Sequence, residues 1–275
     1  MSMGDSMRFS QVVIIALTGF CFWANSAPMQ KLVLTGSSTV APLASELARK
    51  FEASHPGVRV DVQTGGSSRG VTDQRRGLND IGMVSRHLNP DEGDLSSFTI
   101  AKDGICIILH SSNPIQSLTR QQIVDIYTGK VTNWKAMGGK DAPITVVSKA
   151  EGRSTLELFL NYFKLKSSDI KASVLVGDNE QDIKTISGNQ NAIGYVSIGS
   201  AEYDVKNGVK IKTLPLDQVK PTTVNVKNGK FPLSRPLNLV VKNKPHGLVK
   251  EFIEFAQSQE ADSIVEALFF IPLAK

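Results

Sequence analysis

The sequence predicts an α/β fold with mixed sheets, and two observations support this prediction. Short apolar runs rich in Val and Ile alternate along the chain with longer segments whose apolar residues recur at helical spacing. Gly, Ser and Thr residues separate many of these runs from the segments that follow them. Such alternation of strands and helices is typical of α/β proteins. No repeat of fixed period and no Pro/Gly/Ser-rich linker divides the 275 residues, so any crossing between two domains is expected to occur on strands.

The first half of the chain begins with an apolar strand at 31–34, followed by a helix at 42–53 whose apolar residues fall on one face. Val residues alternate with polar residues at 58–62, which is typical of a half-buried strand. Short apolar runs predict two further strands at 81–84 and 105–110.

The second half continues the alternation. A helix at 119–127 starts with a threonine suited to capping and ends shortly before a glycine. A second, amphipathic helix is predicted at 154–163, and two helices at 246–257 and 261–269 close the chain. The strands predicted in this half are short runs of Val, Ile or Leu at 144–147, 174–176, 193–198 and 237–241.

Residues 1–26 are predicted to be a cleaved signal peptide. Arg8 supplies the positive charge, 12–23 form an apolar core too short to span a bilayer comfortably, and small residues follow at the cleavage site. Cys21 follows a phenylalanine rather than the small residue that a lipid-anchored protein needs. We therefore expect a soluble periplasmic protein that begins at Ala27.

Four segments join the end of a predicted strand to the start of a predicted helix through Gly, Ser and Thr residues, at 35–39, 65–70, 83–86 and 151–155. A helix start leaves backbone N–H groups unpaired and carries partial positive charge. Hydroxyl groups and arginines at such starts indicate the binding of a compact oxyanion. For any one segment, ordinary helix capping is the favoured alternative, and Ser154 and Glu157 have the spacing of a capping box. The repetition and the arginines favour anion binding.

Composition and missing motifs exclude several classes of function. Lys and Arg number 31 against 26 Asp and Glu, and the basic residues are scattered, so no nucleic-acid partner is predicted. The sequence lacks a G-x-S-x-G elbow, a nucleotide-phosphate loop and an H-E-x-x-H pair. Its four histidines do not have the spacing of metal ligands. Cys106 lies in an apolar run, so it is expected to be a small buried hydrophobic residue. We therefore predict no enzyme, no catalytic residue, no metal and no cofactor.

Four motifs, taken together, resemble a known family: GSSTVAP at 36–42, DIGMVSR at 80–86, LTRQQIVDIYTGK followed by TNW at 118–134, and NAIGYVS at 191–197. From about residue 31 onward, the chain is similar to the phosphate-binding component of bacterial ABC transporters. The resemblance implies a type II periplasmic-binding-protein fold, with two lobes joined by a hinge and the anion in the cleft. On this basis we expect lobe I to comprise 27–110 plus 199–275, and lobe II 111–198.

The resemblance also implies a function and a set of ligand residues. The chain is expected to be a periplasmic monomer that captures inorganic phosphate and delivers it to ABC transporter permease subunits. Carried over by position, the expected phosphate-binding residues are Ser38, Thr39, Ser67, Ser85, Arg86, Lys149, Arg153, Ser154 and Thr155.

The chain departs from the family pattern in two of the four loops. Well-studied members have an aspartate, which accepts the proton of hydrogen phosphate, where this chain has Arg86; in its Ser-Arg third loop the chain resembles a shorter branch of the family. They have Arg in place of Lys149, and Ser-Gly-Thr in place of 153–155. Without the aspartate, selection of phosphate over sulfate needs another acceptor, such as Asp80 or a backbone carbonyl, or it is weaker. Surface ion pairs with nearby Asp or Glu residues are the alternative role for the cations, and this alternative is favoured for Lys149 alone.

Two alternative functions follow from these departures. The cleft would bind another oxyanion, such as sulfate, molybdate or tungstate, or the chain would be an adhesion or signalling protein with a vestigial site.

Overall fold

The computed structural model describes residues 29–273, so the predicted signal peptide lies outside the described residues. In chain order the strands are β1 (Gln30–Gly36), β2 (Val58–Thr64), β3 (Ile81–Val84), β4 (Ser96–His110), β5 (Thr145–Lys149), β6 (Val174–Val176), β7 (Ala192–Ser197), β8 (Ile211–Leu214) and β9 (Ser234–Val241). The α-helices are α1 (Ala41–Ser54), α2 (Ser67–Arg76), α3 (Arg120–Tyr127), α4 (Ser154–Phe163), α5 (Asn179–Gly188), α6 (Ile198–Lys206), α7 (Thr223–Lys227), α8 (Gly247–Ala256) and α9 (Gln259–Ala267).

The strands form one mixed sheet in the order β2-β1-β3-β9-β4-β7-β5-β6, and β8 pairs with β4 beside this path. The pairs β1/β2 and β1/β3 at one end are parallel, as are β5/β6 and β5/β7 at the other. The central strands β9 and β4 run antiparallel to their neighbours. The predicted α/β fold with mixed sheets is therefore confirmed.

The long strand β4 connects the two ends of the sheet. Its first part pairs with β9, from Ser96 to Gly104, and its last part pairs with β7 and β8, from Ile105 onward. The sequence predicted a strand only at 105–110. The first part was missed because its sequence, SSFTIAKDG, is largely polar and because the register shifts between Thr99 and Ala101, which interrupts the alternation of faces.

The two larger hydrophobic cores of the described residues lie at opposite ends of β4. One core packs α1, α8 and α9 against β1, β3 and the later part of β9; the other packs α3, α4 and α5 against β5, β7 and the end of β4. Residues 105–109 and the buried hydrophobic residues of 199–233 belong to the second core, although the sequence analysis expected them in lobe I. We propose that lobe II extends from 105 to 233, so that the lobes join where β4 and β9 pass side by side.

One predicted helix start is wrong. After β3, residues Ser85 and Arg86 form a bend, and the next helical turn is a short 3₁₀ segment at Pro90–Glu92. Asn89 and Glu92 cap this turn reciprocally, so the local signals for a helix start lie four residues beyond the predicted place.

Within residues 29–273, no helix combines the length and the apolar character that a membrane span requires.

Candidate anion-binding site

The Gly- and Ser-rich segments that follow β1, β2, β3 and β5 meet at one place. The Ser37 hydroxyl donates to the Ser85 hydroxyl at 2.9 Å, and the backbone N–H of Ser85 donates to Ser67 Oγ at 3.1 Å. Ser154, from the segment after β5, donates its hydroxyl to Ser67. All four side chains are buried. Segments that lie far apart in the sequence therefore form one polar cluster.

Arg235 lies at the centre of this cluster. It pairs across the sheet with Asp103, at the point where β4 and β9 pass from one core to the other. Its Nε and Nη2 donate to Asp103 Oδ2 at 3.0 and 2.8 Å. Its outer nitrogens donate to Thr155 Oγ1 at 3.0 Å, Thr39 Oγ1 at 3.1 Å and Ser85 Oγ at 3.4 Å. A single guanidinium, 3% exposed, thus contacts hydroxyls from three of the segments.

We call the side chains of Thr39, Ser67, Ser85, Ser154 and Thr155 the hydroxyl cluster. All five were predicted as ligand residues, and the structure brings them together. Ser38, also predicted, lies half-buried in the turn between β1 and α1, where Ser37 rather than Ser38 contacts Ser85.

The helices that start at this cluster show why capping does not account for its hydroxyls. α1, α2 and α4 follow Val40, Gly66 and Arg153 as N-cap residues, and none of these three makes a side-chain capping hydrogen bond. The predicted capping box of Ser154 and Glu157 is wrong, because Ser154 is already the first helical residue and its hydroxyl donates to Ser67. Three helix N-termini therefore direct their partial positive charge toward the cluster.

Gly66 allows the close approach of the α2 and α4 segments. Its φ of 94° favours glycine, and a Cβ at this position would lie 2.5 Å from the carbonyl oxygen of Gly152 and 2.8 Å from Cδ of Arg153. The backbone N–H of Ser68 donates to the Gly152 carbonyl at 3.3 Å. A side chain at Gly66 would force the two segments apart.

Arg86 points its guanidinium at carboxylates. Nη1 and Nη2 contact the two oxygens of Glu92 at 2.6 and 2.8 Å, and Nε lies 2.6 Å from Glu157 Oε2. Burial lowers the pKa of Arg86, but the two carboxylates outweigh it and raise the pKa above its usual value. Glu157 belongs to α4, so this ion pair joins the two sides of the cleft.

Lys149 is also paired with an acidic residue. Its Nζ lies 2.6 Å from Asp182 Oδ2 and donates to the carbonyl of Asp178 at 3.0 Å. Both charged side chains are almost fully buried, whereas a surface ion pair was the expected alternative. Burial lowers the pKa of Lys149 and raises the pKa of Asp182, since desolvation disfavours both charged forms, and their mutual attraction opposes both shifts.

Arg153 is placed differently. It lies between Gly66 and Gly177, and a Cβ at Gly177 would be 3.4 Å from its Nη2. Its Nε is buried and has no hydrogen-bond partner among the described residues. Of the three cations predicted to bind an anion, Arg153 is the one whose buried N–H group has neither a hydrogen-bond partner nor a carboxylate within ion-pair distance among the described residues; the buried Nε of Arg86 also makes no hydrogen bond but lies against Glu157.

Three of the four cations of the cleft are paired with carboxylates. Glu92 and Glu157 pair with Arg86, Asp182 pairs with Lys149, and Asp103 pairs with Arg235, whereas Arg153 has no carboxylate partner among the described residues. An anion here would therefore depend mainly on hydroxyl groups, helix N–H groups and the unpaired N–H of Arg153. Asp80, considered above as a proton acceptor, is an exposed residue that accepts the backbone N–H of Val33 at 2.7 Å, outside this cluster.

Sequence reasoning missed Arg235, Asp103 and Asn179. Asn179 donates from Nδ2 to Thr39 Oγ1 at 3.2 Å, and Arg235 lies 80 and 196 residues from Thr155 and Thr39. None of the three lies in a Gly- and Ser-rich segment. The one signal available in the sequence was that a charged residue, such as Arg235, stands at the start of a strand and precedes an apolar run.

Comparisons with known proteins identify the family. A model of the PBP superfamily domain matches residues 24–260. The phosphate-binding protein PstS of Bacillus subtilis is 29% identical over 247 residues, which are 88% of this chain and 80% of the relative. Two solved structures cover 89% of this chain and their own full length. A putative phosphate ABC transporter substrate-binding protein with bound phosphate from Clostridium perfringens is 34% identical with a TM-score of 0.82. An ABC-type phosphate transport receptor from Vibrio cholerae is 31% identical with a TM-score of 0.72. The chain therefore belongs to the PBP superfamily, in the family of phosphate-binding components of ABC transporters.

Proposed function

We propose that this chain is an exported solute-binding protein that captures inorganic phosphate in the cleft between its two lobes and delivers it to the permease subunits of an ABC transporter. The observation that carries the proposal is the hydroxyl cluster around Arg235, to which both sides of the cleft contribute. The names of the related proteins, including a structure with bound phosphate, support this choice of ligand.

The cluster has the chemistry that a small oxyanion needs. Hydrogen bonds to a charged group contribute about 1.5–3 kcal/mol each. Micromolar binding needs about 8 kcal/mol in total, after the losses of desolvation and entropy. Hydroxyls, helix N–H groups and the Nε of Arg153 together supply enough donors, and the buried position replaces the hydration of the anion.

Contacts across the cleft indicate that the structure is the closed form. Ser154 contacts Ser67, Arg86 pairs with Glu157, and Asn179 donates to Thr39. A buried ligand enters and leaves only when the lobes separate, and β4 and β9 are the strands on which such a hinge motion is centred. Opening of the cleft would accompany transfer to the permease.

The remaining parts of the proposal come from the sequence. Export through the predicted signal peptide would place the mature chain, from Ala27 onward, in the periplasm. One cleft binds one ligand without a second subunit, so we propose a monomer. We propose a binding role and no catalytic one, in agreement with relatives that are named as binding proteins.

Titration calorimetry of residues 27–275 with phosphate, sulfate, arsenate and molybdate tests the proposal. We expect phosphate to bind with one-to-one stoichiometry and a Kd of about 1 μM or lower. Tighter binding of sulfate or molybdate would assign the cleft to another oxyanion. If none of the four anions binds, the cleft is vestigial and the proposed function is wrong.

A further inference from the structure

The hydroxyl cluster offers almost exclusively hydrogen-bond donors. A hydroxyl has one proton to donate and two lone pairs that accept. Thr39 Oγ1 accepts from Arg235 at 3.1 Å and from Asn179 at 3.2 Å. Ser85 Oγ accepts from Ser37 at 2.9 Å and from Arg235 at 3.4 Å. Both lone pairs of each oxygen are therefore occupied, and each hydroxyl has only its proton left for a ligand.

Ser67 shows the same occupancy. Its Oγ accepts from the backbone N–H of Ser85 at 3.1 Å and from the hydroxyl of Ser154. Its proton is thus free for a ligand, while both lone pairs are occupied. Thr155 accepts one hydrogen bond, from Arg235 at 3.0 Å, and keeps its proton and one lone pair.

Ser154 has the opposite polarity. Its proton is used in the hydrogen bond to Ser67, so toward any further partner its oxygen can only accept. Ser154 is 2% exposed and is the first residue of α4, next to Thr155. Among the five hydroxyls of the cluster, Ser154 is the one restricted to accepting.

This difference matters for an anion that carries a proton. Hydrogen phosphate and hydrogen arsenate each have one O–H group, which is a buried donor in need of an acceptor once the cleft closes. Sulfate and molybdate have none, and their oxygens would meet the lone pairs of an acceptor unfavourably. The nearby carboxylate of Asp103 is already engaged, with two hydrogen bonds from Arg235 and one from the N–H of Gly199.

We propose that Ser154 Oγ accepts a hydrogen bond from the O–H group of a monoprotonated tetrahedral oxyanion and thereby selects phosphate and arsenate over sulfate and molybdate. This inference rests on the proposed function. It assigns to a neutral serine the task for which the family pattern has an aspartate at the position of Arg86. A neutral oxygen repels a fully ionised oxyanion less than a carboxylate does, so the selectivity is expected to be moderate.

The test compares Ser154→Ala with Ser67→Ala as its matched control. Both variants remove the same hydrogen bond across the cleft, but only Ser154→Ala removes the acceptor. Phosphate, arsenate, sulfate and molybdate are titrated calorimetrically above the second ionisation of phosphate, where the monoprotonated dianion predominates. We expect Ser154→Ala to lower the ratio of phosphate to sulfate affinity by about tenfold, which is the loss expected when one buried donor is left unpaired. Ser67→Ala should weaken both anions by similar factors.

The double variant Ser67→Ala/Ser154→Ala removes a possible compensation, since loss of Ser154 alone frees one lone pair on Ser67. Its affinity ratio should be at least as low as that of Ser154→Ala. If both variants keep the wild-type ratio, the acceptor is another group, such as Thr155, and the inference is wrong. If the wild-type protein does not bind phosphate, the proposed function itself fails. Equal thermal stability of the two single variants without ligand would show that the comparison reflects binding.

Discussion

Replacement of Arg235 by lysine tests whether one guanidinium organises the binding cleft. Lysine keeps the positive charge beside Asp103 but, as a point charge, it cannot reach Thr39 and Thr155 at the same time. The two shorter hydroxyl contacts of Arg235, at 3.0 and 3.1 Å, are then lost. At about 1–1.5 kcal/mol each, their loss removes about 2–3 kcal/mol. We therefore expect Arg235→Lys to weaken phosphate binding by about 30- to 150-fold.

The assay is calorimetric titration with phosphate, accompanied by chemical denaturation without ligand to establish that the variant is folded. Arg75→Lys is the matched control, because Arg75 also holds an aspartate with two nitrogens, Asp94, but at an exposed position outside the hydroxyl cluster. Arg75→Lys should bind phosphate like the wild type. Wild-type affinity in a folded Arg235→Lys protein would refute the reasoning, since the hydroxyls would then hold the ligand without Arg235.

The remaining predictions concern the charged groups around the cleft. Arg153→Ala should weaken phosphate binding at least about tenfold in calorimetric titration, since it removes a buried charged donor. Lys149→Ala should lower the free energy of unfolding in urea by about 3–5 kcal/mol, because it leaves a buried carboxylate unpaired. The reverse outcome would exchange the roles of the two residues. Glu157→Gln breaks the ion pair with Arg86 across the cleft, so ligand-free protein should become more open in small-angle scattering; an unchanged radius of gyration would contradict this. Burial raises the pKa of Glu92, but hydrogen bonds from Arg86 and the backbone outweigh it and hold the pKa below the usual 4.5. The stabilisation by ionised Glu92 is therefore present above pH 4.5 and is lost as the pH falls through the lower pKa of Glu92 in the folded protein. In denaturation measured from neutral pH downward, the stability of Glu92→Gln should depend less on acid than that of the wild type. An identical pH dependence of the two proteins would be evidence against this.

Much of the fold was predictable because apolar periodicity reports burial directly. The apolar runs at 31–34, 81–84 and 193–198 became β1, β3 and β7 within a few residues. The helices α5, α6 and α7 were not predicted, since their sequences carry many polar residues and the packing of neighbouring strands stabilises them. The first part of β4 was missed because it too is largely polar and because it is held by pairing with β9, which lies more than a hundred residues away in sequence.

The site was predictable where a local pattern exists. Gly, Ser and Thr residues at strand ends identified the hydroxyl cluster, because the carboxyl ends of neighbouring strands meet at one edge of the sheet. The same pattern could not identify Arg235, whose contacts depend on the crossing of two long strands. Nor could it identify Glu157 as a partner of Arg86 or Asp182 as the partner of Lys149, since these carboxylates lie 71 and 33 residues away in sequence. A local motif indicates which groups face a cleft, but the pairing of charges depends on tertiary contacts.

A crystal structure of residues 27–275 with phosphate is the most direct test of the central claim. We predict tetrahedral density within hydrogen-bond distance of Thr39, Ser67, Ser85 and Thr155, with Arg235 still paired to Asp103 beside it. Density held instead by the guanidinium of Arg86 and the ammonium of Lys149, with their carboxylate partners displaced, would contradict the account.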